Sequence, residues 1–220
     1  AKDRANTLYF TYNNSLPNAQ LLENEFKNAI AVKCDFKIPA ELNTLISKIG
    51  ELKIDVLINN AYSGTPIKTY FHKMTKDDFY SEFMFNTIPT ILLTQACIKD
   101  FRKNKSGKII TILTSYLMNI PPTGSSSYVA NKAYLASLVK SWAAENIKFN
   151  ISSNSVSPSF MQTNLASDVD ARIIEQMIES HPLKKLLTVE EVAETVTFLV
   201  NSPVQLNGAD IVINAGTNVK

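Results

Sequence analysis

The chain has 220 residues, 45% of them hydrophobic and 19% charged, with a formal net charge of +2. This balance is ordinary for a globular domain in water and gives no electrostatic footprint for nucleic acid or a membrane surface. No apolar run reaches the roughly 18 residues of a membrane span, and the opening AKDRANTLYF has no signal-peptide core, so a cytoplasmic location is expected.

Strand-like runs alternate with longer helical patterns. In chain order the strands are expected at TLYFTY (7–12), AIAVKC (29–34), DVLIN (55–59), KIITIL (108–113), NISSNSVS (150–157) and DIVIN (210–214). Most are rich in Ile, Val and Leu on both faces, the pattern of strands buried in a parallel sheet. Helices are expected over 17–27, 39–49, 76–102, 125–146, 169–180 and 189–200. Pro17 and Pro39 sit where a first-turn proline is tolerated, and Thr188 with Glu191 has the spacing of a capping box. The alternation predicts a single α/β domain with a doubly wound parallel sheet. No repeat or linker-like shift in composition divides it.

The two cysteines, Cys34 and Cys97, lie far apart and form no CxxC pair. Free thiols are expected, rather than a disulfide or a metal site. His72 and His181, the only histidines, lack ligand-type spacing.

In folds of this class ligands bind beyond the carboxyl ends of the strands. Asn13, Asp35, Asn59, Asn60, Thr114, Ser115, Ser157 and Ser159 fall there. SSSYVANKAY (125–134) puts Tyr128 and Lys132 one helical turn apart on a common face. A phenol titrates near 10, and a cation within about 4–6 Å lowers that value, so such a pair can work as a general acid and base. Tyr and Lys at this spacing also occur on exposed helices with no chemical role.

The surroundings of the pair decide between these readings. YVANK preceded by Ser115, DVLINNAYSG, FNTIPT with Asn86, SVSPSFMQT and the closing NGADIVINAG follow one another in the order found in short-chain dehydrogenases/reductases. The chain resembles that family over nearly its whole length, and within it the 3-oxoacyl-(acyl-carrier-protein) reductases. The resemblance implies a Rossmann-like fold. It makes Tyr128 the proton donor to a substrate carbonyl and Lys132 the group that lowers its pKa and holds the nicotinamide ribose. Ser115 is the implied hydrogen-bond partner of the developing alkoxide, and Asn86 the binder of a relay water. For the cofactor it implies Asp35 and Phe36 beside the adenine, Asn60 along the adenosine-side ribose, and Met161 and Thr163 at the carboxamide. Each has a plain structural alternative: Ser115 as a strand end, Asn86 as a helix cap or kink, Asp35 as a turn residue, Met161 as core filler.

Three departures stand out. The family's opening strand and TGxxxGxG turn, whose amides hold the cofactor pyrophosphate, have no counterpart, and the chain holds only 6 glycines. The full-length protein is therefore expected to carry a further βα unit of roughly 25 to 30 residues, because without it the central strands would expose long apolar edges. Tyr62 stands where the family has glycine, either pointing outward with Ser63 and Gly64 making the turn or crowding the nicotinamide pocket. Ala215 is a milder change near the last strand.

After the second family strand the sequence reads YNNS, with no acid to bind a ribose 2′-hydroxyl. NADP(H) is expected over NAD(H). A variable lid maps to about 159–182 and supplies Phe160, Met161, Leu165, Ile173, Ile174 and Met177; the loop after Ser115 adds Leu117, Met118 and Ile120. Such a lining suits an acyl or other hydrophobic carbonyl. Lys103, Lys105 and Lys108 form either a patch for an acidic carrier protein or a solvated helix end. A homodimer or homotetramer built through the long helices is implied by the resemblance. The competing readings are a non-catalytic scaffold or partner subunit that has lost its pyrophosphate loop, and a relative acting on a sugar or other small carbonyl.

Overall fold

The computed structural model describes residues 6–163, 165 and 169–217. The chain opens with β1 (Leu8–Tyr12), α1 (Leu16–Glu25, Pro17 in its first turn), β2 (Ala29–Lys33), α2 (Pro39–Leu52) and β3 (Val56–Asn59). It continues through α3 (Lys76–Glu82), α4 (Ile88–Asn104), β4 (Gly107–Ile112) and α5 (Ser126–Asn146), and ends with β5 (Ile151–Pro158), α6 (Ala171–Ser180), α7 (Val189–Asn201) and β6 (Asp210–Ile213). All six strands lie where the sequence predicts them, within a residue or two. The capping box opens α7 as expected, with the Thr188 hydroxyl accepting from the Glu191 amide and the Glu191 carboxylate accepting from the Thr188 amide.

The strands pair in parallel throughout. β1 runs beside β2, Leu8 opposite Ala29 and Tyr12 opposite Lys33. A four-stranded sheet has the order β3-β4-β5-β6, with Val56 opposite Lys108, Gly107 opposite Ile151 and Ser155 opposite Asp210. Among the described residues no ladder joins β1 to β3, the boundary at which the resemblance places a further strand. Ile58 on β3, at that boundary, is 39% exposed, whereas every residue of β5 is buried.

Both parts of the sheet nevertheless share one core. Cys34, Leu42, Leu45 and Ile49 pack in the same cluster as Leu93, Phe101, Ile109, Val139 and Trp142. A second cluster, Ile110, Val156, Val192 and Leu199, sits under α7 on the opposite face. These two layers on one parallel sheet are the doubly wound architecture. Cys34 and Cys97 are buried free thiols, and burial pushes them up to about 11 and about 12 respectively.

β5 is serine- and asparagine-rich and still fully buried. Asn154 bonds the Ala209 amide and the Leu206 carbonyl, and Ser155 and Ser157 donate to Asp210, while the buried Ser153 hydroxyl has no partner among the described residues. The short side chains let α5 lie close against the strand.

The structure corrects two sequence expectations. Residues 76–102 do not form one α-helix, because a π-helical turn at Phe83–Thr87 separates α3 from α4, with the Ile88 amide donating to the Phe83 carbonyl. Pro89 explains it: proline lacks an amide hydrogen and its ring crowds the carbonyl four residues back, so the backbone widens ahead of it. The lysine patch also dissolves. Lys108 turns inward and donates to the carbonyls of Leu199, Val200 and Ser202 at the end of α7, where a cation complements the helix dipole. Lys103 pairs with Asp100 at 3.0 Å, and Lys105 is the left-handed residue that ends α4.

The start of β4 gives a stability test. A Cβ on Gly107 would lie 2.2 Å from the Phe101 ring, and Phe101 is 1% exposed in the core. Gly107→Ala is expected to cost about 1–3 kcal/mol through overpacking, read as a lower midpoint in thermal unfolding. An unchanged midpoint would show that the ring is free to move.

Candidate active site

The ends of β3 and β4, the first turns of α5 and the π turn converge on one small hollow. Asn59, Tyr62, Asn86, Tyr128, Asn131 and Lys132 line it, and it offers about 10 Å³, room for about one water. Asn59 is fixed at the end of β3 by donating to Thr94 and Thr111. The π turn rotates Asn86 toward the hollow, in keeping with the frequency of such turns at functional sites. Thr87 is tied to Asn131 of α5 at 3.0 Å, so the turn and the helix that carries Tyr128 hold each other.

Tyr128 and Lys132 share a face of α5 as their spacing requires. The Lys132 ammonium lies 5.9 Å from the centre of the Tyr128 ring and 6.0 Å from that of Tyr62. It donates one hydrogen bond, to the Ile112 carbonyl at 2.7 Å. An ammonium carries three donors, and the other two meet no acceptor among the described residues. Burial pushes this lysine down to about 8. It pushes Tyr128 up to about 12, opposed by a hydroxyl contact from Thr114 and reinforced by the Tyr116 phenol and the Glu82 carboxylate. Desolvation disfavours the charged forms of both groups, and the net direction for Tyr128 is upward.

The other sequence-derived residues divide into two groups. Ser115 opens a short 3₁₀ turn, Ser115–Met118, directly after β4, and its hydroxyl makes no hydrogen bond among the described residues. Asn86 accepts the Ser63 amide at 2.6 Å and reaches the Glu82 carboxylate at 3.4 Å. Asp35 accepts the Lys37 amide, closing a turn after β2, and Phe36 packs on the main core. Asn60 is exposed beyond β3 and Thr163 half-buried after β5, while Met161 packs on the core under α7. The structure thus brings Asn86, Tyr128 and Lys132 around one hollow, with Asp35, Phe36 and Met161 placed outside it.

Sequence reading undervalued three residues. Tyr62 points inward: its ring meets that of Tyr128 edge-on, with centroids 5.6 Å apart. Glu82 is 4% exposed and accepts from the Tyr62 hydroxyl at 2.5 Å and the Ile67 amide at 3.1 Å. Thr114 is the hydroxyl set against Tyr128. The legible signal for Glu82 was its place one helical turn before Asn86; nothing in the sequence distinguished Thr114 from Ser115.

A family described as enoyl-(acyl carrier protein) reductase matches residues 1–218. The chain belongs to the short-chain dehydrogenase/reductase family. A 3-oxoacyl-(acyl-carrier-protein) reductase of Synechocystis is 33% identical over 177 residues, 80% of this chain and 69% of that protein. A 7α-hydroxysteroid dehydrogenase of Escherichia coli is 29% identical over 197 residues, 87% and 75% of the two chains. The gluconate 5-dehydrogenase of Burkholderia cenocepacia, solved with NADP and tartrate, has the same fold, with a TM-score of 0.83 at 20% identity, covering 96% of this chain and 84% of that one. The chain is thus an oxidoreductase of a family that uses a nicotinamide cofactor. Its residues fit the nicotinamide-ribose end of such a cofactor, since the two spare donors of half-buried Lys132 and the neighbouring Tyr128 phenol call for hydroxyl partners. Among the described residues no glycine-rich turn serves the pyrophosphate.

Burying Lys132 has a stability consequence whose sign follows from its pKa. The group titrates near 8 when folded and near 10.4 in an unfolded chain. Folding therefore releases protons between those values: the penalty is complete below pH 8 and fades as pH rises toward 10. Lys132→Met is expected to stabilise the protein at pH 7 by about 1–3 kcal/mol, with a smaller gain near pH 9.5. Thermal unfolding at the two pH values checks this, and equal gains at both would contradict the assigned burial.

Proposed function

We propose that this chain reduces a carbonyl to an alcohol with NADP(H), its best substrate being the 3-oxo group of an acyl thioester. The observation that carries the reading is the convergence of Tyr128, Lys132 and Asn86 on one hollow at the carboxyl edge of the sheet. The relatives named as 3-oxoacyl-(acyl-carrier-protein) reductases support the substrate class. Exposed Ile173 on α6, exposed Met118 at the end of the 3₁₀ turn and exposed Ile120 beyond it leave apolar surface for an acyl chain. The segment at about 159–182, of which residues 164 and 166–168 lie outside the described residues, is assigned as the lid in this reading. Nothing acidic follows β1; instead Lys33 donates to Asn13 at 3.2 Å, beside its pairing with Glu41. That supports NADP(H) over NAD(H).

A nicotinamide cofactor, when bound, would supply the hydride that the carbonyl carbon receives. This chain supplies the proton and the geometry. Tyr128, held far above neutrality, is a phenol at pH 7 and donates to the carbonyl oxygen as negative charge builds there. The unpartnered Ser115 hydroxyl meets the same oxygen and stabilises it in the manner of an oxyanion hole, while Thr114 orients the phenol. Lys132, still protonated at pH 7, returns a proton to Tyr128, and its two spare donors hold the ribose. Asn86 keeps the loop after β3 in place beside this relay. Asp35, Phe36, Asn60, Met161 and Thr163 line the cofactor's path, and the chain assembles as a homodimer or homotetramer through α4 and α5.

Two measurements test the reading. NADPH consumption with a 3-oxoacyl thioester should fall at least about a thousandfold in Tyr128→Phe, in line with the size of acid-base contributions; retention of activity would refute the proton-donor role. The reduction rate should also decline as pH rises through about 8, where Lys132 loses its proton. A flat profile from pH 7 to 9.5 would remove Lys132 from the relay.

A further inference from the structure

The loop after β3 is held by a buried carboxylate that the proposed chemistry does not use. Glu82 sits at the end of α3, 4% exposed. It receives the Tyr62 hydroxyl at 2.5 Å, the Ile67 amide at 3.1 Å and the Asn86 amide nitrogen at 3.4 Å. A buried carboxylate is tolerated only when donors surround it, so these bonds fix the loop and fix Tyr62 most tightly. Asn86 adds a second tether through the Ser63 amide at 2.6 Å. The held ring stands edge-on to Tyr128 with centroids 5.6 Å apart, a separation at which aromatic rings are in contact. No substrate group fits between them, and the hollow below offers only about 10 Å³.

We propose that Tyr62 is a specificity-determining wall of the carbonyl pocket and Glu82 the positioning residue that holds it there, so that the site selects carbonyls whose neighbouring carbons are unbranched. The inference rests on the reductase reading above and deepens it. Tyr62 closes the flank of Tyr128 that faces Lys132. A carbonyl reaching the Tyr128 hydroxyl must approach from the side of the Ser115 turn. A substituent directed toward Tyr62 then has room for little more than a methylene, which suits the two slim flanks of a linear 3-oxoacyl thioester and rejects an α,α-dimethyl or aryl ketone.

The test measures kcat/KM with NADPH for a linear 3-oxoacyl thioester and for its 2,2-dimethyl analogue, and follows their ratio. In Tyr62→Ala the ratio should move at least roughly tenfold toward the branched substrate, the scale set by one or two methyl groups in a pocket. Glu82→Leu, which strands the Tyr62 hydroxyl, should move it the same way. Glu82→Gln, which keeps an oxygen to accept that hydroxyl, should stay near the wild-type ratio. Added to Tyr62→Ala, Glu82→Leu should move the ratio no further. Because Tyr62→Ala risks loosening the loop, Tyr62→Leu serves as a second opening variant with a filled core. A wild type that reduces the linear thioester while neither Tyr62 variant shifts the ratio overturns the wall. Tyr62 variants that shift it while Glu82→Leu does not overturn the positioning role. A wild type that reduces neither substrate overturns the reductase reading and this inference with it.

Discussion

The arrangement of the site depends on one unfavourable act, the burial of the Lys132 ammonium. A charge moved out of water costs several kcal/mol unless its surroundings answer it. Here the answer among the described residues is one backbone carbonyl, Ile112, and two aromatic rings. Such a cation stays where it is only if the elements around it cannot relax. The Ile112 carbonyl is held by the parallel ladder of β4 and β5, and α5 is held against β5 by a strand made of small side chains. The serine-rich β5, odd as core material, makes sense on these terms: it lets the helix carrying Tyr128 and Lys132 lie close to the sheet, and Asp210 accepts from the hydroxyls of Ser155 and Ser157.

The same desolvation sets the proton chemistry. Raising the phenol and lowering the ammonium separates the two groups by function rather than drawing their protons together. The tyrosine stays protonated across the neutral range, the form the proposed reduction needs, and the lysine, at about 8, titrates close enough to neutrality for the proposed relay. A more solvated pair would have favoured the ions and weakened the donor. Glu82 contributes in the same sense, since its charge also raises the Tyr128 value. Stability given up at Lys132 is in this way tied to the reactivity of Tyr128.

Much of this was legible in the sequence because it follows from periodicity and order. Buried parallel strands announce themselves as β-branched runs, and helices by their caps and prolines; both are local signals. The Tyr128 and Lys132 pair was legible for the same reason, since one helical turn fixes its geometry. What escaped was tertiary. Pro89 was visible, yet the π turn it demands depends on how α3 and α4 meet. Lys108 read as surface charge, and only the fold shows it capping α7 from ninety residues away. The direction of the Tyr128 shift depends on burial, which spacing does not encode. Tyr62 was seen as an anomaly but could not be oriented, because Glu82, the group that orients it, lies twenty residues on and bonds it only once the loop has folded back.

That division also explains why family membership settles the reaction class before it settles the substrate. Tyr128, Lys132 and the neighbouring hydroxyls sit on α5 and at the end of β4, rigid elements whose spacing the fold enforces. Relatives that carry this scaffold are named for acyl-carrier, steroid and sugar-acid substrates, so the scaffold alone does not choose among them. Under the proposed function, choice falls to segments that the sheet leaves free to vary, the loop after β3 and the proposed lid. In this chain the first of those is not free: a buried carboxylate, two side-chain tethers and an aromatic contact hold it. A loop so restrained contributes shape to the site rather than adaptability, and the shape it presents to Tyr128 is narrow.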